Sequence, residues 1–442
     1  MLDILLKFKK VKAERRLLTV MSFLVKDRMN RLFNWAIDML CYIVALLPGV
    51  FLLTIYPFKK VRFFMMCSNR IGHYAMNTEM MLCALDQKDV IDDHKIFYYI
   101  APRNPLCNKQ LYVMWKRVIP ILPFPRVIEK IDRIFGFILG KQYNNASIKY
   151  FSKGAGAHDV KGYLANCATH LIFLEKEEVK GNALLAHLGV PAGAPFVCLH
   201  VRDSTYLKAI WPSKNWCFQS YRDANIENHK KSALFLAEQG YYVIRMGKYV
   251  GSPFDLNHPQ IIDYANSKFS SDFLDIYLSA KCDFFIGNSS GLDAIPQVFR
   301  RPVLTLNEIP FFDTQSWYPV KLFIPKNLRD IGSGRLLTLK ETVQIFLYEN
   351  REMLHKGLSP VLSKLRLQFV ENTEDEILEV VKEMVLRLKG DWQETQESEM
   401  LQKKVWSFFP LDFEERPGYF KHGHIHVRMG SAFLSKYKML LS

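Results

Sequence analysis

The sequence predicts an α/β protein built of two doubly wound, Rossmann-like halves behind a basic, apolar N-terminal segment. Three observations predict it. Short continuous apolar runs recur along the chain, and most lead into a turn-rich loop and then a helical stretch. At 442 residues the chain exceeds one ordinary core. The charge is lopsided: residues 1–62 hold twelve basic and four acidic residues, which is more than half of the net +15. A half-apolar composition with eight scattered cysteines and no CxxC pair excludes disorder, a disulfide framework and a zinc ribbon, and reads as thiols in a reducing compartment. The basic excess calls for an anionic partner.

The elements follow in order. Lys7, Lys9, Lys10, Lys12, Arg15 and Arg16 are interleaved with apolar residues, a basic amphipathic pattern. From Met39 to Phe58 twenty residues carry no charge, enough to match a bilayer core as one helix. Pro48-Gly49 in the middle and basic residues on both flanks predict instead a helix–break–helix in or on the inner leaflet, both ends cytoplasmic. The stretch is too long and starts too late for a signal peptide. A hairpin buried in a soluble fold is the other reading. VRFFMMC and KIFYYIA (95–101) read as strands of the first half, and LYVMWKRVIPIL as a helix ending at Pro120; 124–170 shows no clear period. A helix ending at Gly189 and the linker VPAGAP precede the second half. There FVCLHV, YYVIRMG, DFFIG and RPVLTLN are strands, and helices between them complete a βαβαβ order. Residues 339–390 look largely helical, with a capping box at Thr373 and Glu376. The divisions expected are thus a membrane-associating segment (1–58), two α/β halves (59–189 and 190–345) and a helical extension (346–442).

Ligands of such sheets bind at the carboxyl ends of the strands. The second half places His200, Arg202 and Asp203 after its first strand, Arg245 and Gly247 at the end of its second, and Asn307 after its fourth. Gly287-Asn288-Ser289-Ser290-Gly291 follows the third and leads into a helix, while Asp272 starts a helix expected to abut the same crevice. Small residues and free amide N–H groups suit a pyrophosphate, and Arg202 with Arg245 could clamp its oxygens. A tight βα turn would use the same loop. No GxxxxGK[ST] and no GxGxxG after the first strand occurs. In the first half, Asn69, Arg70, Gly72 and His73 follow the first strand, with Asn77 and Glu79 beyond. His73, or else Glu79, is placed to take a proton from an acceptor hydroxyl. Structural hydrogen bonding or packing is the alternative for each. His422, His424 and His426 alternate, but nothing beside them completes a metal site, and no nucleic-acid signature appears.

In this order NRIGHYAMNTE, FVCLHVRD, YRDANIENH, YYVIRMG, FSSDFLDIYLSAKCDFFIGNSSG and a terminal SAFLSKYKMLL resemble a family of bacterial surface-polysaccharide glycosyltransferases. The likeness covers about residues 60–310 and the extreme C-terminus. That family is similar to the two-Rossmann-domain enzymes called GT-B, and distantly to O-fucosyltransferases through a His-x-Arg element, here His200-Val201-Arg202. The resemblance implies two domains facing across a cleft, a nucleotide-sugar donor in the C-terminal half and a glycan or lipid-linked acceptor in the N-terminal half. It also agrees with transfer without a metal or other cofactor, and the basic flanks of the apolar segment place the protein, peripheral or monotopic, on the cytoplasmic side of the inner membrane. A nucleotide-sugar epimerase of the same fold, and a non-catalytic scaffold for polysaccharide assembly, are the alternatives.

Overall fold

The computed structural model describes residues 2–89, 95–103, 105–144, 147–152, 157–310, 314, 318, 321–349, 358–408 and 425–441. His422 and His424, and 153–156 of the expected loop FSKGAGAHD, lie outside them. Two compact units emerge: Met1–Met65 with Asp92–Arg103 and Ile121–Ala146, and the rest of the chain.

In the first unit one helix, Leu2–Ile55, runs unbroken through Pro48. The expected break is not there. Pro48 removes a single backbone hydrogen bond, and the helix is packed in this region by a second one, Pro125–Asn144, itself kinked at Gly140. Gly49 serves close approach rather than flexibility: a Cβ there would lie 3.5 Å from Ile134 Cδ1. The strands β1 (Val61–Met66) and β2 (Lys95–Ile100) form a two-stranded sheet. Ala45, Val61, Phe63, Tyr99, Ile131, Phe135 and Tyr143 make the core. The Tyr99 and Tyr143 hydroxyls both donate to Asp132, at 2.8 and 2.6 Å, so these phenols are satisfied inside it.

The second unit is organised by a seven-stranded, wholly parallel sheet. Its strands are β3 (Phe196–His200), β4 (Tyr242–Met246), β5 (Ile261–Ile262), β6 (Phe284–Gly287), β7 (Val303–Glu308), β8 (Lys321–Pro325) and β11 (Arg428–Met429). A small antiparallel pair, β9 (Asn327–Asp330) with β10 (Leu367–Val370), lies outside it. The spatial order is β11-β8-β7-β6-β3-β4-β5. From β3 the chain winds outward through β4 and β5, returns to β6 on β3's other side, and winds the opposite way. The winding therefore reverses between β3 and β6. The central strands are buried and mostly apolar, as expected of a sheet covered on both faces, with Arg245, Asn307 and Glu308 among the buried polar exceptions. Residues 358–408 and 425–441 complete this unit: the helix Glu374–Lys389, with the Thr373–Glu376 capping box in place, packs Ile377, Val380, Val381 and Met384 into the core, and β11 adds the edge strand.

Candidate active site

The reversal point brings together the ends of β3 and β6, where a doubly wound sheet leaves a crevice between connections that diverge to opposite faces. His200 ends β3, and Gly287 ends β6. Gly287 is small because Asp293 folds back over it: a Cβ would lie 2.4 Å from Asp293 Oδ1. Asp293 accepts from the Ser290 N–H at 3.0 Å and the Ser290 hydroxyl at 2.8 Å. With that hydroxyl donating to Asp293, its oxygen accepts from His200 Nδ1–H at 3.0 Å. His200 Nε2 then carries a lone pair. Burial, followed by the Arg245 charge, pushes His200 down to about 4, and burial raises Asp293 to about 6. Asn288 is buried and ties the crevice walls, its Oδ1 accepting from the Arg202 N–H at 2.7 Å and its Nδ2 donating to the Arg222 carbonyl at 3.3 Å.

Two guanidinium groups stand at this loop, but they are not the expected pair. Arg202 lies on Asp223 and donates to the Gln219 carbonyl at 3.3 Å. The second is Arg222, whose Nη2 donates to the Ser289 carbonyl at 2.5 Å while its buried Nε has no partner among the described residues. Ser289 adopts a left-handed φ of 53°, and Ile309 N–H on its hydroxyl at 3.2 Å helps hold it there. Burial, and next the charge of Arg222, lower Arg202, so the two cations oppose one another. Arg245 does not join them. It is 1% exposed, with one Nη on Asp263 Oδ1 at 2.9 Å and the other on the Ser252 carbonyl at 3.0 Å, while its Nε has no partner among the described residues, so the open strand-edge position expected of it is corrected.

The loop after β1 closes the other side of this crevice within the second unit. Gly72 meets Gly291 backbone to backbone; a Cβ on Gly72 would lie 2.9 Å from Gly291 Cα. Arg70 is exposed at the start of the helix Ile71–Asp86, and Asn69 before it is half-buried. His73 Nδ1 lies 3.2 Å from Asn77 Oδ1, and Asn77 Nδ2 donates to the Phe151 carbonyl at 2.8 Å. The amide orientation leaves Oδ1 as acceptor, so His73 holds its proton on Nδ1 and presents Nε2 as a base. Burial is the main cause of a His73 pKa below its ordinary value; the Asn77 hydrogen bond opposes it, and Arg70 and Arg222 add to it. His158, part of no motif read from the sequence, is half-buried, and desolvation followed by the His73 charge pushes it down to about 4.

The remaining expected residues do other work. Glu79 is fully buried: Oε1 accepts from Arg300 Nη2 at 2.7 Å, and Oε2 lies 3.1 Å from His170 Nδ1. It is bound in an ion network, which corrects its reading as a cleft-facing base. Asp86 engages His170 Nε2 at 3.0 Å, and although burial opposes the charge, these carboxylates raise the His170 pKa. Glu79, Cys83 and His170 cluster closely enough for a metal, but both imidazole nitrogens and both Glu79 oxygens are already engaged, a poor fit for a cation. Asp203 caps its own loop through Thr205 N–H at 2.7 Å and takes Gly251 N–H at 2.8 Å. Asp272 pairs with Lys248 Nζ and accepts from Lys109 N–H, both at 2.8 Å, beside the loop after β4. Gly247 turns that loop with φ 147°. Asn307 exchanges backbone-to-side-chain hydrogen bonds with Asn372, at 2.6 and 2.7 Å, and clasps the helix-bearing segment to β7. Arg222 was missed because it ends a 3-10 turn (Cys217–Arg222) rather than a strand; YRDANIENH held the signal.

No family model matches the chain, and no curated protein matches it. Solved structures do align. A glycosyl transferase family 9 protein of Veillonella parvula aligns over 74% of this chain and 98% of its own, at 11% identity and a TM-score of 0.37. The ADP-heptose LPS heptosyltransferase II of E. coli covers 60% and 90%, at 13% identity and 0.32. The iron-containing dodecameric glycosyltransferase TibC of enterotoxigenic E. coli covers 57% and 62%, at 15% identity and 0.30. Likeness at these scores establishes neither a common fold nor a common chemistry.

Proposed function

We propose that this protein is a membrane-associated glycosyltransferase that moves a sugar from a nucleotide-sugar donor to a hydroxyl of a surface-glycan or lipid-linked acceptor. One observation carries the reading. Arg70, Arg202 and Arg222 gather around the switch point of a doubly wound sheet, with Asp223 as the counter-charge on Arg202. A nucleoside diphosphate brings the missing negative charge to the crevice where such sheets bind ligands. The motif resemblance described above supports the same class.

In this reading the Gly287–Gly291 loop and the arginines hold the diphosphate. His73 Nε2 takes the acceptor's hydroxyl proton, the freed oxygen bonds to the anomeric carbon, and the bond from that carbon to the phosphate oxygen breaks. Arg202 and Arg222 meet the charge left on the departing diphosphate, an electrostatic role set before the reaction begins. The reading requires no metal. A helix of 28 apolar-rich residues, Arg28–Ile55, is long enough to cross a membrane, and its basic flanks favour the cytoplasmic face.

The test is calorimetric titration of nucleoside diphosphates and nucleotide sugars. Arg222→Ala is expected to weaken diphosphate binding by about 1.5–3 kcal/mol, the range for hydrogen bonds to charged groups, with little loss of stability. A chain that binds no member of a broad diphosphate panel is not such an enzyme. Sugar isomerisation without an acceptor would favour the epimerase instead.

A further inference from the structure

We infer that residues 28–58 lie along the surface of an anionic bilayer, with one face in the acyl boundary, and do not cross it. The inference rests on the membrane association proposed above but not on the chemistry of the site. By length and mean hydropathy (2.2) the helix Arg28–Ile55 could span. What surrounds it decides otherwise.

The helix Pro125–Asn144, kinked at Gly140, packs its first half against the apolar segment. Arg126 Nη2 donates to Asn34 Oδ1 at 2.9 Å, Lys130 Nζ lies 4.8 Å from the Tyr42 ring centroid, Ile134 meets Gly49, and Phe135 packs edge-on against Tyr56 with centroids 5.8 Å apart. These contacts fall between Asn34 and Tyr56 of the segment, and the stretch Arg126–Phe135 that makes them rises about 14 Å, roughly half of a bilayer core. This accompanying helix is not a membrane helix. It carries Arg126, Glu129, Lys130, Asp132 and Arg133 within eight residues. Asp38 of the apolar segment is drawn into the same charge network, 3.0 Å from Arg103 and 3.6 Å from Lys130, with Arg103 also on Glu129 at 2.8 Å. A spanning arrangement would set this row of charges, and the two-stranded sheet behind it, at bilayer depth.

Lying flat satisfies both faces. Ala45 is fully buried towards Pro125–Asn144, whereas Leu47, two residues or about 200° further round, is 82% exposed. Leu40, Ile43, Leu47 and Phe51 recur at helical spacing as one exposed apolar stripe. Arg28 and Arg31 before it, and Lys59 and Lys60 after it, are exposed cations at headgroup level. Phe58, 91% exposed, prolongs the apolar surface past the helix end. The occupant that fits is a lipid surface with anionic headgroups. The helix is continuous through Pro48, which excludes a re-entrant hairpin.

The experiment uses the full chain with a different epitope tag at each end, expressed in bacteria, with protease added to spheroplasts and to inverted vesicles. Both tags are expected to be cleaved only in the inverted vesicles. Tags cleaved from opposite sides would overturn the flat arrangement while leaving membrane association standing. In parallel, purified protein is sedimented with phosphatidylcholine vesicles with or without phosphatidylglycerol. Binding is expected to need the anionic lipid, and the pair Leu47→Glu and Phe51→Glu to lower it by about tenfold or more with an unchanged melting temperature. Protein that sediments with neither vesicle would overturn association and this inference together. Unchanged binding of the folded double variant would remove the stripe from the membrane surface.

Discussion

Two clusters of charge in the second unit use the same residue types to opposite ends. Around Glu79 every charge is answered: Arg300 and His170 take its oxygens, and Asp86 takes the far nitrogen of His170. Around the Gly287–Gly291 loop the charges do not close. Among the described residues Arg202 has Asp223, but the Arg222 guanidinium meets only a carbonyl, and Arg70 stands exposed. A network that satisfies itself holds a fold together. One that leaves like charges facing each other is completed by a ligand. Charge type alone does not separate the two cases; closure does.

The contrast is broken most strongly from the closed side. Arg300→Ala leaves the buried Glu79 without its guanidinium partner and is expected to cost about 3–5 kcal/mol in urea melts; Arg245→Ala is expected to cost less, since Asp263 is half-buried and keeps the Phe254 N–H. Diphosphate affinity of the folded fraction should hold. If either variant kept full stability and lost the ligand instead, the closed clusters would belong to the site. His73→Ala should lower turnover by at least about 10²-fold with donor affinity nearly constant, since general-base help is worth about 10²–10⁴-fold. Near-normal turnover would move the role to another group, for which the His200 lone pair is the next candidate. Gly72→Ala forces a methyl against the Gly291 backbone and should cost about 1–3 kcal/mol, read by thermal melting. An unchanged melting temperature would mean that the two loops do not meet.

The smallest effect is on pH. His73 titrates below its ordinary value, so it remains a neutral base at pH 6.5 and is protonated as pH falls through its lowered pKa. The acid limb of kcat/KM is therefore expected below pH 6.5. Arg222→Ala removes one of the charges that lower it and should shift the limb upward, towards the ordinary histidine value. A limb that stays put in this variant would separate Arg222 from His73.

Local pattern determined a good deal by itself. The buried runs FVCLHV and DFFIG are strands because a parallel sheet covered on both faces needs unbroken apolar runs, and Gly189 and Gly240 end helices with positive φ. The Thr373–Glu376 box and the Ser271 cap formed where their spacing placed them. Such features depend on neighbours a few residues away, so they are written in the order of the chain. Tertiary structure alone decided the rest. Pro48 reads as a break until a second helix packs along it, and that helix lies in 124–170, where no period was legible. Arg245 and Arg222 look alike as letters; one is closed by Asp263 and the other opens onto Ser289 because the chain folds back between residues far apart in number. Strand order, and with it the reversal between β3 and β6, is set by which crossovers cover which face of the sheet. That competition among distant segments leaves no mark at any single position.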